Sequence, residues 1–559
     1  MNRSDIEKIL EKITEDIEAI TDERVKAIQK ILLNLIEALL NDNEKLRAEN
    51  QQLRDEINRL KGEQGKPHIR KQTKRNQDIS SEEERRKNRN KNKKNKSKKK
   101  KKNKIAVNRV EICTIPKDQL PEDAIFKGYE PVIVQDIIIQ TDNIKFKKAT
   151  YYSPSLNKTF MASLPAGYSG EFGPRLRQLI ISLYHESNMT HSGIAGFLAN
   201  HKILIGSGSI SRILTLSPEK EGFHQEKKDI VMAGLQSADY QQMDDTGARV
   251  KGQNYYDHIL CNEFYTAYFT RPHKDRLTII DILTQGQMKF TFNEHAFLLM
   301  QEMKLPEKWL NRVKTNYAGQ SMNRQEMDNL LSTHFPNPNK QKTNRLILLE
   351  STAIAAYQAL PHATNFLLTD DAPQYNKITA YHPLCWVHDG RHYKKLMPVV
   401  VSHRTMLNEF ITTYWNYYDQ LLTYKSCPTQ SEADRLSKEF DRLFSLQTGY
   451  HYLDDRIKKT KDQKNQLLLV LENPFLPLHN NDSELGARGQ ARRRDTSFHT
   501  MSPEGTEAKD TFMTLMQTAK KMTVNFYHYI GDRIKKKYEM PSLASLIIAK
   551  NKLFVPEIS

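Results

Sequence analysis

The chain of 559 residues is too long for one hydrophobic core, so we expect three or four domains. Its net charge of +18 is concentrated in residues 66–104, where nineteen Lys and Arg stand against four Asp and Glu, and the remainder is nearly neutral. Four widely spaced cysteines without a C-x-x-C pair argue against a zinc ribbon or a disulfide framework, and the absence of a run of about 18 apolar residues argues against a membrane span.

Residues 1–62 are predicted to form a coiled-coil helix that pairs two copies of the chain. The seam repeats every seven residues, and a buried Asn in such a seam fixes register and strand number. Its members are Leu32, Leu39, Leu46, Leu53 and Leu60, alternating with Ile36, Asn43, Asn50 and Ile57. An earlier apolar run is out of phase, which predicts that the helix restarts near Thr21 and Asp22. The alternative is an amphipathic helix docked on its own domain.

Two segments of different character follow this helix. Residues 63–108 are polar and lysine-rich, so we predict a disordered linker that contacts DNA phosphates without sequence preference, the alternative being a plain solvated linker. Residues 109–170 contain strand-like runs at 131–140, 143–152 and 158–165, which predict a small β-rich module.

Residues 171–220 have the pattern of a helix-turn-helix DNA-binding unit. Helices are predicted over 175–187, 191–201 and 209–216, with a glycine-containing break before the third. Ser209 and Arg212 on the third helix would face DNA. Three-helix packings without a DNA-binding role are common, so the basic linker next to this unit strengthens the interpretation.

The rest of the chain alternates strands and helices, which predicts an α/β catalytic core. In residues 221–389, strands are expected to end at Asp244, at Asp370 and, over 383–388, at His388, with a hairpin over 255–270. The other predicted parts are a helical insertion over 390–474, the second part of the core over 475–535 and a C-terminal tail over 536–559.

Three acidic residues from distant points suit two-metal phosphoryl transfer. Asp244 and Asp370 follow predicted strands, and Glu484 lies in the first turn of a later helix. Hard carboxylate oxygens suit Mg²⁺, and two ions about 4 Å apart stabilise both the attacking and the leaving oxygen of a displacement. The neighbouring Asp245 and Asp371 leave the exact ligands open. Arginines are predicted to hold the DNA phosphates: Arg488, Arg492, Arg493 and Arg494.

The sequence around these acids resembles the insertion-sequence sixty-six family, a bacterial group of DDE transposases. The first block reads Asp244-Asp245-Thr246, where the family has Asp-Glu-Thr. The second acid, Asp370, stands five residues before Tyr375, and a Cys-Trp-x-His-x-x-Arg block follows at residues 385–391. The third block is Asn-Asn-x-x-Glu at residues 480–484 with Arg488 four residues later. The closing helix over LMQTAKKMTVNFYHYI is also similar.

The resemblance implies a multidomain protein with an RNase H-like α/β catalytic core, a helical insertion, a coiled coil and a helix-turn-helix. It implies Mg²⁺ dependence with two ions, for which Mn²⁺ is expected to substitute, and DNA cleavage with strand transfer at the ends of an insertion sequence. Small accessory proteins of the same element are expected partners. The family usually has a cysteine-paired zinc module before the helix-turn-helix, but only Cys113 lies there, so we expect that module without metal.

Two residues of the second block, His388 and Arg391, are predicted to contact DNA next to the catalytic acids. The leading hypothesis is therefore a DDE transposase in the bacterial cytoplasm, associated with the nucleoid, and free thiols agree with a reducing compartment. The alternative is a DNA-binding dimeric regulator or organiser of element ends with an inactive catalytic domain. A metal-dependent nuclease that cuts without joining is a third hypothesis.

Overall fold

The computed structural model describes residues 22–60 and 105–554 except residues 122 and 221, together with residues 9 and 13. The basic run at 66–104 and most of the first 21 residues lie outside the described residues. The helices are α1 (Glu23–Leu60), α2 (Pro174–His185), α3 (His191–Asn200), α4 (Ser207–Lys220), α5 (Phe223–Leu235), α6 (Arg276–Leu283), α7 (Glu294–Glu302), α8 (Glu307–Tyr317), α9 (Arg324–His334), α10 (Lys342–Gln358), α11 (Trp386–Lys394), α12 (Val401–Ser426), α13 (Gln430–Leu443), α14 (His451–Asp462), α15 (Lys464–Leu467), α16 (Leu469–Glu472), α17 (Asn481–Ser497), α18 (Pro503–Lys521), α19 (Phe526–Ile534) and α20 (Leu543–Phe554). The strands are β1 (Thr150–Ser153), β2 (Lys158–Met161), β3 (Tyr240–Val250), β4 (Gln253–Cys261), β5 (Thr266–Arg271), β6 (Phe290–Thr291), β7 (Ser321–Met322) and β8 (Phe366–Leu368). Among the described helices, none combines the length and the apolar character that a membrane span requires.

Helix α1 begins where the sequence predicts a restart and docks on the helical insertion. The Asp22 carboxylate accepts hydrogen bonds from the N–H groups of Arg24 and Val25, as a helix-capping side chain does. The docked face carries Leu33, which packs against Val399 and Val400, and Glu37, which is fully buried. The carboxylate of Glu37 accepts hydrogen bonds from the N–H groups of Val399 (2.7 Å) and Val400 (3.0 Å), at the start of α12.

The predicted coiled-coil seam lies mostly outside this contact. Four of its leucines are 51–70 % exposed, which are Leu32, Leu39, Leu46 and Leu53. Ile36 is half-buried against the cluster around Val400. One face of α1 therefore docks on the chain's own insertion, in line with the alternative interpretation, while the adjacent apolar seam lies on the surface and its pairing with a second copy stays a prediction.

The predicted β-rich module is smaller than expected. Its hairpin pairs β1 with β2, in register from Thr150 opposite Met161 to Ser153 opposite Lys158. The prediction of a strand at 131–140 is wrong, since these residues form no strand and Val132 and Ile138 are 79 % and 87 % exposed. A strand needs a hydrogen-bonded neighbour, and the apolar composition of this run alone does not supply one.

Helices α2, α3 and α4 match the three helices predicted for residues 171–220. Their buried side chains, such as Ile180, Ile194 and Ile210, belong to one continuous core with Met243 and Ile259 of the sheet. The three helices are therefore packed onto the α/β part of the chain and do not have a hydrophobic core of their own.

The main sheet is mixed and has the strand order β5-β4-β3-β8. Strands β3, β4 and β5 are antiparallel neighbours, as the aromatic and β-branched hairpin pattern predicts, and β8 adds parallel to β3. A separate antiparallel pair joins β6 to β7. The described part of the chain is thus a mixed α/β protein rich in helices.

The helical insertion has its own aromatic core, centred on Trp386 and Tyr414. The prediction of a strand over 383–388 is wrong, because α11 begins at Trp386. The Trp386 ring packs against Tyr414 and Tyr417 of α12, and its Nε1–H donates to the Leu467 carbonyl at 2.9 Å. Tertiary packing of this ring overrides the strand-like local sequence.

The C-terminal helices also depart from prediction. The expected single helix after Gly505 is two helices, α18 and α19, and Thr523 between them has a φ of 58°, in the left-handed region. The expected tail contains helix α20, whose Leu543 and Ile547 are fully buried. These residues join the main core, and α20 packs against α5.

Helix α17 approaches the sheet closely at Gly486. A Cβ at this position would lie 2.7 Å from Ile259 Cγ2 and 3.3 Å from Thr266 Cγ2, on β4 and β5. At Gly489, one turn later, the nearest atom would be 3.5 Å away, an ordinary contact distance. The glycine at 486 therefore sets how near the helix that carries Glu484 lies to the sheet.

We expect Gly486→Ala to lower the free energy of unfolding by about 1–3 kcal/mol, because overpacking of the helix–sheet contact outweighs the better helix propensity of alanine. Gly489→Ala is the matched control and should be neutral or stabilising by up to about 1 kcal/mol. Chemical denaturation of both variants measures the difference. Equal stability of the two would contradict this account of the contact.

Candidate functional site

The parallel pairing of β3 with β8 brings the first two acids together. Tyr240 pairs with Phe366 and Gln242 with Leu368, an offset of 126 residues. Asp244 and Asp370 have the same offset, so each lies two residues beyond the last pair, on neighbouring chain segments. Adjacent strands are about 4.8 Å apart. The expectation that β3 ends at Asp244 is wrong, since β3 continues to Val250. Its parallel neighbour β8 ends at Leu368, two residues before Asp370.

Asp244 lies in a strongly negative environment. Burial raises the pKa of Asp244 to about 7, and the charges of Asp370, Asp245 and Glu484 add to the rise. Its Oδ1 accepts a hydrogen bond from the Asp245 N–H at 2.8 Å. In the described part of the chain, none of the ion pairs involves Asp244 or Asp370. The site thus holds negative charge that the protein itself does not neutralise.

The structure separates Asp244 from its neighbour Asp245, which the sequence left ambiguous. Asp245 lies 3.5 Å from the Lys274 ammonium and accepts a hydrogen bond from Gln374 Nε2 at 3.1 Å. Asp245 is therefore held by other side chains, while Asp244 is the residue whose pKa responds to Asp370 and Glu484. Lys274 and Gln374 were not singled out from the sequence, because their role depends on contacts across the fold.

Asp370 is placed by the chain that leaves β8. Burial raises the pKa of Asp370, and the charges of Asp245 and Asp371 raise it further, against the hydrogen bond from the Ala372 N–H. That bond, 3.2 Å long to Oδ1, orients the carboxylate. The preceding Thr369 is fixed by a 2.7 Å hydrogen bond between its hydroxyl and His382 Nε2.

Glu484 lies in the first turn of α17, as predicted, and is held by Arg391 of α11. Arg391 Nη2 donates to Glu484 Oε2 at 2.8 Å, and Arg391 Nη1 donates to His388 Nε2 at 3.0 Å. Burial, followed by the charge of Arg391, lowers the pKa of His388 to about 4, so this ring is neutral near pH 7. The 3.6 Å separation between His388 Nε2 and Glu484 Oε1 is therefore not an ion pair. His388 and Arg391, predicted to contact DNA, thus lie against the third acid.

One asparagine links the segments that carry the acids. Asn480 Nδ2 donates to the carbonyl of Met243 at 2.8 Å, next to Asp244. Its backbone N–H donates to Cys385 Sγ at 3.2 Å, and the Cys385 N–H donates to the Thr369 carbonyl at 3.0 Å, next to Asp370. Cys385 is buried, as predicted, and the two residues connect the start of α17, the start of α11, β3 and the end of β8.

Tyr375 also belongs to the site, although the sequence offered it only as part of a resemblance. Its side chain is buried, and its hydroxyl makes no hydrogen bond to any described residue. Burial raises the pKa of Tyr375 well above its usual value, and the charges of Asp245, Asp244 and Asp370 contribute. The spacing of five residues after Asp370 is the signal that marks it in the sequence.

The predicted DNA-contacting residues differ in exposure. Arg212 on α4 is exposed and Ser209 is half-buried. On α17, Arg492 and Arg494 are exposed, Arg488 is half-buried, and Arg493 is buried. The structure does not bring Ser209 or Arg212 into contact with the acids, and a DNA role for these residues stays a prediction.

The acids are near one another but do not form a closed metal cage. Among the described residues, no three His, Cys, Asp or Glu side chains stand close enough to hold an ion together. The donor set nevertheless fits a divalent cation. Asp244 and Asp370 form no ion pair among the described residues, although the charge of Lys274 counteracts the rise in the pKa of Asp370. Glu484 Oε1 is buried with no hydrogen-bond partner in the described structure, while Oε2 is taken by Arg391.

Comparisons with known proteins agree with this arrangement. The family model described as "Transposase IS66 family" matches residues 350–508, which include Asp370, Arg391 and Glu484 but not Asp244. A protein of Sinorhizobium fredii, named "Uncharacterized protein y4jO", is 31% identical over 320 residues, 57% of this chain and 99% of that protein. Together with the sequence blocks around all three acids, these matches show that the chain belongs to the IS66 family of transposases.

Proposed function

We propose that the protein is a divalent-metal-dependent DNA transposase that cleaves DNA at the ends of an insertion sequence and joins it to a new site. The observation that supports this proposal is that Asp370 and Glu484 lie near enough to Asp244 for their charges to raise its pKa, with Asp244 on β3, Asp370 just after β8 and Glu484 on a helix. Phosphoryl transfer depends mainly on positioning and on neutralising charge, which such a site is built to do.

The sheet supports an RNase H-like catalytic core. Three antiparallel strands with a parallel fourth, and acids on the central strand and just after its parallel neighbour, agree with the fold that the family resemblance implies. The helical insertion lies between the second and third acids, over α12 to α16. Glu484 then returns to the sheet on α17, which packs on β3 and β4.

The proposed ligands for Mg²⁺ are the carboxylates of Asp244 and Asp370 and the Oε1 atom of Glu484. Two such ions would supply activation of water or a DNA 3′-hydroxyl and stabilisation of the leaving oxygen. The chain's own residues do the rest. Asn480 fixes α17 to β3, and Arg391 orients Glu484 through Oε2. Substituting a residue that orients a metal ligand typically lowers metal affinity or activity by about 10–100-fold.

DNA binding and pairing of two copies complete the proposal. Helix α4 offers Ser209 and Arg212 for DNA, and Arg488 and Arg492 would contact phosphates on the side of the catalytic core. The exposed leucine seam of α1 supports pairing with a second copy, because four leucines at heptad spacing on the surface are the usual seam of a coiled-coil dimer.

The proposed role of the three acids can be tested by substitution. Asp244→Asn, Asp370→Asn or Glu484→Gln should each lower metal-dependent strand transfer by at least about a thousandfold, because each removes a charged ligand oxygen. The substrate is duplex DNA carrying the sequence that borders the gene on each side, and affinity for that DNA should be retained. Asp371→Asn is the matched control and should keep activity within about tenfold.

The same assay separates the alternatives. Full activity in any one of the three variants would refute the assignment. Metal-dependent cuts without a new phosphodiester bond would select a nuclease, and DNA binding without any metal-dependent nicking would select a binding-only organiser of element ends.

The second prediction concerns stability in the absence of metal. The native pKa of Asp244 is about 7 and its unfolded value is near 4, so the native state loses stability through this group as the pH rises from about 4 to about 7. Asp244→Asn should therefore be more stable than the wild type above about pH 7, by an upper limit of roughly 4 kcal/mol, and the gain should vanish near pH 4. Urea denaturation at several pH values with a chelator measures it.

Asp245→Asn serves as the control for this prediction. The Asp245 carboxylate already has Lys274 and Gln374 as partners, so its loss should bring no gain in stability at neutral pH. A stability difference between Asp244→Asn and the wild type that stays constant from about pH 4 to pH 8 would contradict the proposed charge environment.

The third prediction separates positioning of Glu484 from DNA contact at Arg391. Arg391→Gln should lower the rate of strand transfer by about 10–100-fold and raise the Mg²⁺ concentration needed, with DNA affinity unchanged. Arg391→Lys keeps the charge but not the planar fork, so it should be intermediate. The control Lys395→Gln removes the same charge from an exposed position just after α11. Weaker DNA binding without a change in metal dependence would assign Arg391 to DNA instead.

A further inference from the structure

A cleft with an open volume of ≈ 390 Å³ lies beside the second half of α17, away from the three acids. Its walls come from five elements of the chain, which are α2, the end of β3, β4, α17 and α18. The residues that matter here are Tyr184, Arg249, Gln490, Arg493, Arg494 and Lys509.

Arg493 is the central side chain of this cleft. It is only 2 % exposed, and its guanidinium lies over the Tyr184 ring at 3.4 Å from the ring centre. Nη1 donates to the Tyr184 carbonyl at 2.6 Å, whereas Nε and Nη2 are buried and have no hydrogen-bond partner among the described residues. A guanidinium has five N–H donors, and a buried charged group with unmet donors is costly unless a ligand pairs with it.

The positive charge of Arg493 has no carboxylate partner among the residues that the structure describes. Two histidines close to it, His185 and His191, have pKa values lowered by burial and then by the charge of Arg493, so they are neutral near pH 7. The acid in the wall, Asp257, is already paired with Lys509 at 2.9 Å and accepts a hydrogen bond from the Thr270 hydroxyl. The guanidinium is therefore uncompensated inside the fold.

Gln490 adds a neutral donor to the same cleft. It precedes Arg493 by three residues on α17, which places the two side chains on one face of the helix. Gln490 is 2 % exposed, and its Nε2 group is buried without a hydrogen-bond partner in the described structure. Arg249 and Arg494 at the exposed side of the cleft add positive charge, and Arg494 is itself anchored by a hydrogen bond to the Gly247 carbonyl.

We propose that this cleft is a binding site for one phosphate of the DNA backbone, held by the Nε and Nη2 groups of Arg493 and the Nε2 group of Gln490. The proposal rests on the proposed function, because it names the part of the DNA that this surface takes. The planar guanidinium matches two phosphate oxygens at once, and an amide donor adjacent to it completes a set of three N–H groups for a tetrahedral anion.

The position of the cleft gives this phosphate a role. Gln490 and Arg493 follow Glu484 by six and nine residues on α17, which is about 9 and 14 Å along the helix. At 3.4 Å per base step, roughly four steps separate the bound phosphate from the acids. Tyr184 belongs to α2, the first of the three helices predicted to recognise DNA, so the phosphate would lie at the junction of recognition and catalysis. Phosphate contacts of this kind fix register without reading sequence.

A purely structural role for Arg493 makes a different prediction. In that case the residue would only join α17 to α2, through the stacking on Tyr184 and the bond to its carbonyl. Its loss would then lower stability, but stability would not depend on added anion. The Nε2 group of Gln490 makes no hydrogen bond to a described residue, so removing it would be neutral or stabilising.

The test uses the full-length protein without divalent metal. Thermal unfolding is recorded with orthophosphate and with chloride at equal ionic strength, and affinity for a duplex DNA is measured in parallel. The variants are Gln490→Met, which removes the amide donor at similar volume, and Arg493→Lys, which keeps the charge and removes the fork. Arg324→Lys is the matched control, since it makes the same substitution at an exposed position of α9, outside the residues proposed to contact DNA.

We expect orthophosphate to raise the unfolding temperature of the wild type and of Arg324→Lys more than that of Gln490→Met or Arg493→Lys. Duplex affinity should fall about tenfold in Gln490→Met, as expected for one lost hydrogen bond to a charged group. Gln490→Met leaves Arg493 and its contacts with Tyr184 intact, so this variant should fold. A phosphate response of Gln490→Met equal to that of the wild type would overturn the site.

One further outcome decides between free phosphate and DNA as the ligand. A phosphate response that is lost in Gln490→Met while duplex affinity stays at the wild-type value would show a site for free phosphate and overturn the assignment to DNA. Because neither readout requires the acids or a metal ion, a chain without strand-transfer activity still tests the cleft. Conversely, loss of the cleft would leave the assignment of the three acids untouched.

Discussion

The short parallel pairing of β3 with β8 is the constraint on which the site depends. Only three residue pairs, from Tyr240–Phe366 to Gln242–Leu368, hold the strands in register, yet this register brings Asp244 and Asp370 side by side. A slip by one residue would turn every side chain of β8 to the other face and separate the two acids.

The asparagine at 480 extends this register to the third acid and to the insertion. By bonding to the Met243 carbonyl and to Cys385, it places Glu484 and α11 relative to the same strands. The helical insertion also helps to position Glu484. Its aromatic core fixes Trp386, and thereby holds the helix from which Arg391 reaches Glu484. The packing of the insertion therefore orients one carboxylate oxygen of Glu484.

The sequence predicted correctly those elements whose structure depends on residues close to one another in the chain. The period-two hairpin over β4 and β5, the helices of residues 174–220 and the position of Glu484 in a first helical turn were all readable, because each depends on neighbours in sequence. Partners far along the chain decided the rest. Trp386 starts a helix because an aromatic cluster receives its ring, residues 131–140 form no strand, and Arg391 contacts Glu484 where the sequence suggested DNA. The docked face of α1 was likewise hidden, since Glu37 meets Val399 across more than three hundred residues.

Helix α17 carries residues of both proposed sites, with the proposed metal ligand Glu484 in its first turn and the arginines proposed to contact DNA toward its end. That order also complements the helix dipole, so the pattern of charges by itself says little about function. Two side chains of this helix keep buried polar atoms without a hydrogen-bond partner in the described part of the chain, although Glu484 is also paired with Arg391. Glu484 keeps one oxygen without a partner beside two unneutralised aspartates, and Arg493 keeps two donors without a partner nine residues later. A protein stabilised for its own sake would pair such groups with each other or replace them. Leaving them unmatched costs stability, and under the proposed function a cation at one end of the helix and a DNA phosphate at the other would offset that cost, with α17 aligning the DNA on the metal site.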